Sequence, residues 1–226
     1  MKYVKLILIE FVVLIAVYLI GLTVANLVDT DRLQNNAGQA LDVLDAEGDY
    51  PIYYDDFAVR LDNVSDRLIV KESSLQGSNP LYTAIDMNGY YRYWHGYALF
   101  LRPLLAFLGL NQIRKILMIL IGLVFAVTTV VLYKKLGIAG AAAFSLMWVE
   151  YYSSKVSGSL QFFWCYFIMC AAVIFICIAD GLKKEKEAYC ILFFGLGSFT
   201  NFVDLLTFPL VTLTVPLAVL VIIKRD

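Results

Sequence analysis

The chain runs repeatedly for about twenty residues with almost no charge, and that feature limits its fold more than any other. The first run, 6–28, is broken only by Glu10, and 116–133, 136–152, 160–179 and 189–223 repeat the pattern. A helix rises about 1.5 Å per residue, so a hydrocarbon layer of about 30 Å takes roughly 20 apolar residues. Backbone polar groups in hydrocarbon are satisfied only in helices or closed barrels, and these runs are longer than barrel strands. The expected fold is therefore all-α, a polytopic helical membrane protein. Only 16% of the residues are charged, against about 25% in soluble domains. A net charge of −1 leaves no basic excess for nucleic acid.

Charge placement orders the runs. The segment 1–28 reads as a retained first transmembrane helix, because its apolar run exceeds a signal-peptide core and lacks a small-residue cleavage site. The last block, 189–223, would measure roughly 52 Å as one helix, too long to cross once. Lys183, Lys184 and Lys186 precede it and Lys224 and Arg225 follow it. Basic residues collect on the cytoplasmic side, so both ends belong there and the block folds as a hairpin turning near 200–204. Pro209 and Pro216 are expected to kink the returning helix. Lys134-Lys135 closes the span 116–133. The reading is about six spans in a multi-pass cell-membrane protein, with amino and carboxyl termini cytoplasmic. Residues 97–110, interrupted by Arg102-Pro103, are too short to span and read as an interfacial or re-entrant helix. Residues 111–226 form a five-helix bundle.

Between the first two membrane segments the composition reverses. Residues 29–96 hold twelve acids and five bases, which marks an acidic extracytoplasmic segment. Leu33, Ala37, Ala40, Leu41 and Leu44 recur at helical spacing, with Thr30 as N-cap and Gly48 as stop. A second helix begins near Asp62-Asn63 and carries Val64, Leu68 and Ile69, and 77–80 breaks it. A segment of about 65 residues buries little core alone, so these short helices are expected to lie on the mouth of the bundle.

Chemistry has few candidates. Asp55, Asp56, Asp62 and Asp66 are the leading carboxylates. At the outer membrane face such a group can act as general base on an acceptor hydroxyl, or hold a metal that carries a diphosphate. The plainer reading of Asn63-x-x-Asp66 is a capping box. Arg92, His95 and Arg102 sit in or near the aromatic stretch 90–97 and can hold a lipid phosphate; lipid headgroup contact within an aromatic belt is the alternative. Glu150 and Asp204 fall near outside turns, where they line a cavity or merely end helices. Glu10 lies little more than a turn past Lys5, which suggests a local pair. Cys165, Cys170, Cys177 and Cys190 all stand in apolar runs, with neither disulfide nor metal spacing, and read as packing residues. No metal-ligand spacing appears, and the sequence does not identify a cofactor.

The stretches 61–66, 92–97 with 101–105, 159–162 and 202–210 together resemble a family of polytopic membrane proteins from cell-surface polysaccharide gene clusters of Gram-positive bacteria. The first span, the long outer loop with surface helices and the spans that follow resemble the GT-C class of glycosyltransferases. That likeness implies transfer of a sugar from a polyprenyl-phosphate donor to a glycan acceptor at the outer face, with an acid of the first outer loop at the centre. On it, Asp62 or Asp66, less so Asp55 or Asp56, serves as base, and Arg92, His95 and Arg102 hold the donor phosphate. GT-C enzymes commonly have more than six spans, which implies that this chain corresponds to the amino-terminal part of such an enzyme or to a split subunit. The alternative is a non-enzymatic accessory subunit, carrier or scaffold for surface-polymer assembly, in contact with membrane lipids and further membrane subunits.

Overall fold

The computed structural model describes residues 2–52, 60–86, 93–150, 158–180, 186–205 and 207–225. Among them the fold is helical: α1 Lys2–Asn26, α2 Asp31–Glu47, α3 Asn63–Ser73, α4 Pro80–Ile85, α5 Ala98–Phe107, α6 Leu110–Glu150, α7 Leu160–Asp180, α8 Lys186–Val203 and α9 Pro209–Lys224. The only extended pairing among the described residues is an isolated bridge between Ile52 and Arg60. Three helices are long and apolar enough to cross a membrane, within Val4–Asn26, Leu110–Val149 and Leu160–Ala179. The apolar parts of α8 and α9, Ala188–Val203 and Pro209–Lys224, are shorter.

One of the three long helices is two arms. Phe125 and Trp148 would stand about 34 Å apart on a straight helix, yet their rings stack at 4.4 Å, with Phe144 5.6 Å from Phe125. The chain reverses at Gly137, whose φ of 70° and ψ of −164° lie in a region open essentially to glycine. The turn therefore falls just past the lysine pair expected to close that span: Lys134 and Lys135 remain helical. Arm 110–136 leads away from the short helices and arm 138–150 returns.

Helix α7 is the axis of the bundle. It packs against α6, α8, α9 and α3, and 61% of its apolar window is buried, against 11% for α1. The hairpin expected in the last block is present as α8 and α9, whose antiparallel sense places Lys224 Nζ 5.5 Å from the centre of the Tyr189 ring. Pro209 does not kink α9 but begins it, where a missing N–H costs nothing. Pro216 lies inside that helix and Pro103 inside α5, so Arg102-Pro103 does not interrupt its segment.

Helices α2–α5 form a cap over one end of this bundle. Thr30 caps α2 through the Leu33 N–H, and Gly48 ends it. Leu33, Ala37, Ala40 and Leu44 are buried along one face, as their spacing requires. The α3 periodicity differs from the expected one. Its buried residues are Asn63, Asp66, Ile69, Val70 and Ser73, while Val64 is exposed and Leu68 half-buried. Helix α5 packs against α1, α2 and α3, with Leu105 fully buried.

Candidate functional site

Where cap meets bundle, charged and polar side chains bind the ends of neighbouring helices. Each helix terminus leaves backbone groups without partners, and apolar surroundings make those groups costly. Asp66, fully buried on α3, answers this for α7. Its Oδ1 accepts from the Ser159 hydroxyl and the Gln161 N–H, and its Oδ2 from the Leu160 N–H, each at 3.0 Å. Burial pushes its carboxyl up to about 6 although these donors and the Arg114 charge pull the other way. Asp66 thus does not complete a capping box on its own helix, because its oxygens are turned to α7. The α3 cap is Asp62, one residue earlier than Asn63, accepting from the Ser65 N–H and hydroxyl.

The network continues through Gln161. Its Nε2 donates to Thr207 Oγ1 at 2.7 Å, and Thr207 donates both its hydroxyl and its N–H to Asp204. Asp66 and Asp204 are therefore joined through α7, and Asp204 organises the turn from α8 to α9. The neighbouring Phe202 carbonyl accepts from the Gly96 N–H at 2.8 Å. A side chain at position 96 would collide with that carbonyl and with the Phe202 ring. His95 carries the resulting bend with a φ of 52°, an uncommon value for a residue with a Cβ. Its Nδ1 shares a hydrogen bond with the Tyr97 hydroxyl. Phe202 in turn stacks on Tyr18 of α1 at 3.9 Å.

Arg102 was expected at the lipid surface but is 2% exposed. Its guanidinium donates to the carbonyls of Val28 (2.7 Å), Leu75 (2.6 Å) and Ser73 (3.3 Å), and Asp29 lies 3.9 Å away. It gathers the carboxyl ends of α1 and α3, where a cation suits the helix dipole. Arg114, at the start of α6, makes a two-pronged pair with Glu47 at 2.6 and 3.0 Å. Burial raises the Glu47 carboxyl, but Arg114 and the Asn63 amide outweigh it and hold the group below its ordinary range. Arg32 and Asn36 of α2 likewise donate to the last carbonyls of α5, those of Phe107 and Leu105.

The candidates accordingly divide. Asp66 and Asp204 belong to one network, with His95 adjoining it through Gly96, while Asp62 and Arg102 work elsewhere on the cap. Asp55, Asp56 and Arg92 lie outside the described residues, as does the side chain of Glu150, although α6 runs to that position. Among the described residues no three His, Cys, Asp or Glu gather as a metal site. A hollow of about 410 Å³ lies beneath the cap. Its walls include Ile69 of α3, Tyr97, Phe100 and Leu104 at α5, Leu117 of α6, Trp164 and Phe167 of α7 and Phe199 of α8, with none of the candidate residues. The sequence reading missed Ser159, Gln161, Thr207, Glu47 and Arg114. A serine directly before an apolar run is an N-cap signal, and it was the available pointer to the first of these.

No family model, curated protein or solved structure matches this chain.

Proposed function

We propose that this chain is a non-enzymatic module of the cell membrane, an accessory subunit that holds a lipid-linked intermediate during surface-polymer assembly. The observation behind this reading is how the polar side chains are spent. Asp66, Asp204 and Arg102 hold helix ends together, and the hollow under the cap offers apolar and aromatic surface. A wall of Phe100, Leu104, Leu117 and Phe167 suits a hydrocarbon chain. Among the described residues this lining has no charged group to move a proton in a transfer reaction. The cap faces outward and both termini face the cytosol, because Lys134, Lys135, the 183–186 lysines and Lys224-Arg225 then share the inner side. Counting the two arms of α6 and the shorter α8 and α9, the chain makes six passages.

Two measurements test this. A cysteine at Ser78, exposed in the cap, should react with an impermeant maleimide on intact cells; reaction only in inverted vesicles overturns the orientation. Purified chain in vesicles should retain a polyprenyl-phosphate sugar, and Leu117→Trp should reduce retention several-fold, without transfer to a glycan acceptor. Transfer by the purified chain that is lost in Asp62→Asn, a variant that keeps the α3 cap, overturns the non-enzymatic reading in favour of a GT-C-like transferase.

A further inference from the structure

The first span carries one acid, Glu10, and the structure leaves it without the expected partner. Its Oε2 is buried and has no hydrogen bond. Its Oε1 lies 2.8 Å from where a Cβ at Gly195 of α8 would stand, so this carboxyl approaches the α8 backbone as only glycine permits. By helical rise it sits about 12 Å along α1 from Lys2 and about 24 Å from Asn26, within the apolar stretch long enough to span. Insertion scales charge about 2.5–3.5 kcal/mol for an acid at the centre of a membrane helix.

Glu10 opens onto a groove of about 650 Å³ between α7 and α8. Among the described residues every other side chain of that groove is apolar. Ala171, Ala172, Ala188 and Gly195 keep it open, and Phe167, Phe175 and Phe199 present rings. Ala171 and Phe175 at its lip are exposed to the lipid side. Phe167 and Phe199 also wall the hollow under the cap, but the two spaces differ in chemistry, since among the described residues a carboxylate lines the groove and none lines the hollow. One carboxylate with a free acceptor atom, surrounded by aromatic faces, is complementary to a cation that carries an N–H donor, because ring faces attract positive charge and an ionised acceptor strengthens the hydrogen bond.

We propose that the α1/α7/α8 groove is a binding site for amphiphilic organic monocations, alkylammonium ions that enter from the bilayer and donate to Glu10. This does not depend on the accessory-subunit reading, since Glu10 and the small residues that open the groove lie outside the hollow.

The test uses the full chain in neutral phosphatidylcholine vesicles and a hydrophobic fluorescent carbodiimide, which modifies carboxyl groups within hydrocarbon. Mass spectrometry should locate the adduct at Glu10, and Glu10→Gln should remove it. Dodecyldimethylammonium, which keeps one N–H donor but forms no amide with an activated carboxyl, should slow modification tenfold or more, and dodecanol at the same membrane concentration less than twofold. Ala172→Phe, which fills the groove but retains the acid, should abolish that protection. Equal protection by dodecanol, full protection in Ala172→Phe, or no adduct at Glu10 would each overturn the proposal.

Discussion

Asp66→Ala removes one carboxylate and strands two donors. The Gln161 N–H keeps a partner, since Ser159 Oγ accepts it at 3.2 Å. The Leu160 N–H and the Ser159 hydroxyl lose theirs, and each buried donor left unmade costs about 1–3 kcal/mol. A loss of about 2–6 kcal/mol is expected near pH 4.5. The deficit should then shrink as pH rises. Burial pushes the Asp66 carboxyl up to about 6 in the folded chain from its ordinary 3.8, so its contribution is full below about 4 and declines until about 6. At about 1.36 kcal/mol per unit the difference amounts to roughly 3 kcal/mol. Unfolding temperature in detergent at pH 4.5 and pH 8 reads both effects, at about 2–4 °C per kcal/mol for a chain of this size. Asp66→Asn should show the same flattening with a smaller loss. Its amide retains one oxygen and turns an N–H₂ toward the Leu160 N–H. Asp62→Asn should stay within a few tenths of a kcal/mol, because asparagine caps helices well. An Asp66→Ala chain as stable as wild type at both pH values, or a deficit that grows with pH, refutes the helix-end argument.

The remaining perturbations probe other joints. Arg102→Lys should cost about 2–4 kcal/mol in denaturant unfolding, since an ammonium cannot span three carbonyls held by a planar fork. Gly96→Ala should reduce the folded yield and lower stability by about 1–3 kcal/mol or more through collision with Phe202. Gly38→Ala on open α2 surface should raise stability by about 0.5–1 kcal/mol; thermal unfolding separates the two. Glu47→Gln should cost about 1–3 kcal/mol at neutral pH by weakening the Arg114 pair. The Glu47 carboxyl is held low in the folded chain, so the stability it supplies is present above about pH 4.5 and lost as pH falls. The variant's deficit should therefore close on acidification, the reverse of the Asp66 series.

Long-range hydrophobic pattern made the class, the first helix, the α2 face and the final hairpin legible in the sequence. Each rests on a local rule: span length, i to i+4 spacing, or lysines at both ends of one apolar block. What escaped was the use of polar residues across sequence distance. Asp66 and Leu160 stand 94 residues apart, and Arg102 and Val28 stand 74 apart. No periodicity announces such pairs. An acid three residues after an asparagine fits a capping box and a cap on another helix equally well. Only the orientation of α3, with Asp66 on the face that carries Ile69 and Val70 inward, decides between them. Arg102 misled for a similar reason. An arginine beside a proline in an aromatic region suggests an interface, but Leu101, Leu105 and Ala106 carry α5 into the packed interior and Arg102 with it.

These joints make the cap and the bundle one folding unit. The cap alone would leave Asp66 and Arg114 without each other's surroundings, and the bundle alone would expose the first N–H groups of α7 to apolar neighbours. In soluble proteins a helix end without a side-chain cap is satisfied by water. Here the start of α7 is buried, so Asp66 replaces water there, and Arg102 and Asn36 serve the half-buried carbonyls at the ends of α1 and α5. Charged residues in such an interface therefore carry no presumption of chemistry, since the helix termini already account for them. Glu10 differs because it meets no helix terminus, and its oxygen has no protein donor. Glu72 of α3 also has a buried, unpartnered oxygen, but Glu10 is the one that stands within an apolar span and opens onto a groove, and by that criterion its presence calls for a ligand.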